Sequence, residues 1–149
     1  MEKIKEWLQK KGFRLLATPR AEDMIDFSER SVHINASDPY QVRLSSALHE
    51  CGHLMIFLAR CRRPRRTVSG STLREQCFLK GRRTPRSRNF RIATLQEELD
   101  AWDKGLELAA ALKIRLNKSV LEKDRLKCLM TYVSYAAAPM RCCSKKRDA

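Results

Sequence analysis

Three residues in "LSSALHECGHLMIF" (residues 44–57) carry chemistry: His49, Glu50 and His53. On an α-helix, residues four apart share a face and sit roughly 6 Å apart along the axis. Two imidazoles so placed can reach one ion at the zinc–nitrogen distance of about 2.0–2.1 Å. Glu50 lies one step round the helix, where a carboxylate can take a proton from a metal-bound water without itself being a ligand. Gly52 leaves space for a substrate or a neighbouring strand to come close. The competing explanation is an ordinary amphipathic helix whose two histidines are satisfied by other partners.

A helix from about 41 to 60 must carry this motif. Leu44, Ala47, Leu48, Cys51, Leu54, Met55 and Leu58 form a broad apolar stripe along it. Upstream, residues 2–11 read as a short helix with Ile4, Trp7 and Leu8 on one face, ended by Gly12 in the left-handed C′ position. "FRLLATP" (13–19) reads as a strand stopped by Pro19. "DMIDFSERSVHINAS" (23–37) reads as a strand pair turning at "SER", with Val32 and Ile34 alternating with His33 and Asn35. Downstream, Thr94 and Glu97 form a capping-box pattern that opens a second long helix, and Asn117 or Ser119 caps a last one running to about 137.

A catalytic zinc site needs a third protein ligand. The only other histidine is His33, upstream on a strand, so a downstream third histidine of the metzincin kind is excluded. The candidates that remain are the carboxylates Glu97, Glu98 and Asp100 on the second long helix, or a cysteine between 61 and 77. His33 itself stands on "SVHINA", a candidate for the edge strand along which zincins bind substrate, or else it is a surface residue.

"HECGH" followed by "EELDAW", with "DFSERSVHIN" ahead of the motif, resembles the ImmA/IrrE-like metallopeptidases, a gluzincin-type family of phages, mobile elements and stress-response operons. The likeness covers about residues 13–58 and 95–112. It implies an α+β, zincin-like single domain with a small N-terminal sheet, an HExxH active-site helix and C-terminal helices. It also implies Zn2+ as cofactor, with His49 and His53 as ligands, Glu50 as general base, and Glu98 as third ligand because Ala101 lies three residues after it, with Glu97 as the alternative; Asp100 would at most orient a ligand. The substrate would be a protein, such as a repressor or other regulator, in the cytoplasm of a host cell.

The 149 residues fit one domain over 1–138 with a basic tail at 139–149. The net charge is +14, and eleven of those charges come from residues 60–91, where twelve cationic side chains face Glu75 alone. That segment reads as a long basic loop inserted in the domain. Arg62, Arg63, Arg65, Arg66, Arg82, Arg83, Arg86 and Arg88 are candidates for contact with nucleic acid or an acidic partner. Only Phe78 and Phe90 interleave them, which argues against a base-stacking platform. The alternative function is therefore a basic nucleic-acid- or protein-binding module on a zincin scaffold, with peptidase activity weak or lost. The six cysteines lack the spacing of a disulfide framework, and no apolar run approaches the roughly 20 residues of a membrane span. The N-terminus has no apolar signal region, so a cytoplasmic protein with reduced thiols is expected.

Overall fold

The computed structural model describes residues 1–62 and 88–139. These residues form an α+β arrangement of four helices and one three-stranded mixed sheet. Helix α1 spans Glu2–Lys10, and strands β1, β2 and β3 span Arg14–Thr18, Met24–Asp26 and Ser31–Asn35. Helices α2, α3 and α4 span Tyr40–Arg62, Arg88–Ala111 and Lys118–Ala137.

Helix α1 ends as its sequence requires. Gly12 has φ +75° and its N–H donates to the Gln9 carbonyl, while the Phe13 N–H donates to Leu8. This is a Schellman closure, and Phe13 and Leu8 both enter the core beside Ile4. The β2–β3 turn falls at the expected residues. Asp26 accepts hydrogen bonds from the Ser28 and Glu29 backbone N–H groups and from the Ser28 hydroxyl. Val32 and Ile34 point into the core with no exposed surface, and His33 and Asn35 are half-buried.

The strand order is β1-β3-β2, with β3 parallel to β1 and antiparallel to β2. The strand carrying His33 is thus the middle one, not an edge. Its backbone is paired on both sides, so it cannot accept an added substrate strand as anticipated. His33 instead places Nε2 2.9 Å from the Ser31 hydroxyl.

The core lies where α2 packs on the sheet and on α1. Leu44, Ala47, Leu48, Cys51 and Leu54 are buried along the expected stripe, and Met55 and Leu58 are partly so. Two boundaries differ from expectation. The segment read as a basic loop over 60–91 is helical at both described ends, because α2 runs on to Arg62 and α3 begins at Arg88. Thr94 is accordingly not an N-cap; its hydroxyl donates to the Phe90 carbonyl one turn earlier, inside the helix. Arg60 faces Glu97, and Arg91 donates to the Tyr135 and Ala138 carbonyls, so ordered partners extend helix at residues whose charge alone suggested a loop. Arg63, Arg65, Arg66, Arg82, Arg83 and Arg86, together with the tail after residue 139, lie outside the described residues. Among the described residues no helix is long and apolar enough to cross a membrane.

Candidate metal centre

Helix α3 presents Glu98, Ala101, Trp102, Gly105, Leu108 and Ala109 on one buried face. A carboxylate in that row is a signal in itself, since acidic residues are rarely buried without a partner. What brings it to the histidines is a crossing without side chains between the backbones. A Cβ built on Gly52 would lie 1.9 Å from the Ala101 carbonyl oxygen, and one built on Gly105 would lie 2.5 Å from that of Leu48. The space opened by Gly52 is therefore filled by helix α3, not by a substrate or a strand. Gly105, which the sequence alone does not single out, is its counterpart.

At this crossing three ligand atoms converge. His49 Nε2 and His53 Nε2 are 3.2 Å apart, and Glu98 Oε2 is 3.2 Å from the first and 3.5 Å from the second. Ligand atoms held about 2.0–2.1 Å from a tetrahedral ion stand roughly 3.3–3.4 Å from one another. The three separations bracket that edge length. Two imidazole nitrogens and one carboxylate are a suitable donor set for a divalent metal. Three electronegative atoms this close also require a proton or cation among them. Cys128 of α4 adds a fourth possible donor: its sulfur, a ring nitrogen of His49 and a carboxylate oxygen of Glu98 all lie within 4.8 Å of one another.

The other acidic candidates have partners of their own. Glu97 Oε2 is 3.4 Å from the Arg60 guanidinium. Asp100 is exposed and accepts from the Gln96 amide at 2.8 Å, so it orients no ligand. Among cysteines, Cys51 is fully buried in the core, as its place between the histidines on another face suggests, and burial pushes its thiol far up. Cys61 is exposed, and Cys77 lies outside the described residues.

Burial would push the Glu98 carboxyl upward, but hydrogen bonds and charge from His49 and His53 hold it down at about 2. Burial alone would lower His53; its bond to Glu98 and the surrounding carboxylates reverse this and raise it. Glu50 is 7 % exposed, and burial lifts its carboxyl above the ordinary range against the pull of both histidines. A carboxylate shifted upward is a better proton acceptor near neutral pH.

The centre opens into a cavity of about 250 Å3, enough for one large side chain, lined by His49, Glu50, Trp102, Cys128 and Tyr132 and by Asp23 and Lys127. Trp102 stacks on the His49 ring, with centroids 4.5 Å apart and planes 30° from parallel. Burial raises the Cys128 thiol and the indole of Trp102 pulls it the other way, while burial and Glu98 raise the Tyr132 phenol. In the sequence, Cys128 and Tyr132 stand only among the apolar positions of the last helix. Their i, i+4 spacing, continued backward to Asp124, is the signal of a face turned to the site. Arg62 ends α2, and Arg88 starts α3 with an exposed side chain. No family model, curated protein or solved structure matches the chain.

Proposed function

We propose that the chain is a zinc-dependent metallopeptidase of zincin-like fold, akin to the ImmA/IrrE-like enzymes, that hydrolyses peptide bonds of a protein substrate. The observation that carries this reading is the meeting of His49 Nε2, His53 Nε2 and Glu98 Oε2 at 3.2–3.5 Å beside the buried Glu50. His49, His53 and Glu98 would hold the zinc, which would supply Lewis acidity toward the scissile carbonyl and the attacking water. Glu50 receives the proton of that water and passes it to the leaving amine. Trp102, stacked on His49, fixes one ligand ring, and the cavity seats a substrate side chain next to Glu50.

The alternative, a basic binding module with little peptidase activity, rests on the charge of residues 60–91. It predicts that cellular effects survive loss of Glu50.

The test joins metal analysis to substrate trapping. The purified chain should hold about one zinc, and Glu50→Gln should keep that zinc while losing hydrolysis at least about 100-fold. The Glu50→Gln protein should also retain a protein, in nuclease-treated extract, that the unsubstituted chain cleaves. Undiminished cleavage by Glu50→Gln would refute the assignment.

A further inference from the structure

With His49, His53 and Glu98 assigned, Cys128 is a metal-ligating side chain beside the centre that the reaction does not use. Helix α4 contributes no fully buried residue, yet its one inward cysteine stands against His49 and Glu98. The helix is held there by named contacts. Asp124 accepts a hydrogen bond from the Ser45 hydroxyl, Arg125 donates to Asp103 at 2.8 Å, and Arg91 ties down the C-terminal turn. A second observation points to the same place. Trp102, 3 % exposed, has a buried indole N–H with no hydrogen-bond partner and lines the same cavity as Cys128. An indole N–H so placed is suited to a thiolate, whose charge makes it a far better acceptor than a thiol.

We infer that Cys128 is a fourth, displaceable ligand to the metal held by His49, His53 and Glu98, so that α4 keeps the centre closed until the thiolate is displaced. In a tetrahedral site with zinc–sulfur about 2.3 Å, the sulfur stands roughly 3.6 Å from the nitrogen and oxygen ligands. The Cys128 sulfur lies within 4.8 Å of a ring nitrogen of His49 and a carboxylate oxygen of Glu98. Rotation about its Cα–Cβ bond moves the sulfur on the order of 3 Å between staggered positions. Closure exchanges a water molecule for the thiolate and gives the thiol proton to solvent; opening reverses both, and no electrons are transferred. The closed form has the ligand count of a structural zinc site and the open form that of a catalytic one.

This inference rests on the metal reading, and cobalt distinguishes the failure of one from the failure of the other. The full chain, reduced and loaded with Co2+, should show the visible bands of tetrahedral cobalt together with a near-ultraviolet thiolate charge-transfer band. Cys128→Ser should abolish the charge-transfer band, keep the visible bands, and weaken zinc binding at least about 10-fold. Tetrahedral cobalt without the thiolate band in the unsubstituted chain overturns the role of Cys128 and leaves the three-ligand site standing. A thiolate band that persists in Cys128→Ser assigns the ligand to another cysteine and overturns it too. Failure to bind cobalt or zinc at all overturns both readings.

Discussion

Glu98 is the residue on which the centre turns. It is 6 % exposed, and its oxygen stands between two imidazoles. Glu98→Ala should therefore lose the zinc proposed to bind here, measured as metal per chain after dialysis, whereas Glu97→Ala, which removes a partner of Arg60, should keep it. In metal-free protein the same cluster sets a pH window. Glu98 is depressed from 4.5 to about 2, so its contribution to stability is present above 4.5 and lost as pH falls toward 2. His53 is raised above 6.5, so its contribution is complete below 6.5 and lost as pH climbs through the raised value. The pair thus stabilises the chelated protein most between 4.5 and 6.5. Glu98→Gln should flatten that maximum in a melting-temperature profile against pH; an unchanged profile would mean the histidines and Glu98 do not interact. At this scale much is legible in the sequence. The two histidines follow from helical spacing, whereas the residues alone leave Glu97, Glu98 and Asp100 open and only the family resemblance singles out Glu98. Cys128 is not legible, because a cysteine on a half-buried helix reads as apolar until the helix it faces is known.

Between elements, the site depends on how closely α2 and α3 approach. Gly→Ala within a helix ordinarily stabilises by about 1 kcal/mol. At Gly52 the sign should invert, since the added methyl meets the Ala101 carbonyl at 1.9 Å and the helices must part. Gly52→Ala should destabilise by about 1–3 kcal/mol in denaturant unfolding and weaken zinc binding as Glu98 is drawn away. Gly105→Ala, with its contact at 2.5 Å, should do the same more mildly. A stabilised Gly52→Ala protein would show that the crossing is not close. The sequence suggested a space at Gly52 but not its occupant, because helix pairing across the intervening residues is a non-local fact. The same limit hid β3's central place: alternation of Val32 and Ile34 shows a buried face and says nothing of which strands lie alongside. The start of α3 escapes the sequence for another reason. Arg88, Arg91 and Thr94 look like loop and cap by composition, and only the carbonyls of α4 that receive Arg91 explain why helix persists there.

For the molecule as a whole, the +14 charge is concentrated in residues 60–91, yet Arg60 and Arg91 at its two ends are engaged within the fold. If the segment binds nucleic acid, replacing Arg82, Arg83 and Arg86 by Gln should reduce the slope of log affinity against log salt by about 0.9 for each phosphate no longer neutralised. A slope unchanged by the triple substitution would direct attention to a protein partner. The close crossing of α2 and α3 also changes what a relative of this chain should look like. Histidines and glutamate alone specify reactive groups, whereas the residues lacking side-chain bulk specify their separation. The two halves combine as H-E-x-G-H on one helix and E-x-x-A-x-x-x-G on the next, from His49 to His53 and from Glu98 to Gly105. A chain bearing both halves is expected to hold its ligands at the same spacing however little else it shares, and one bearing only the first has no such constraint.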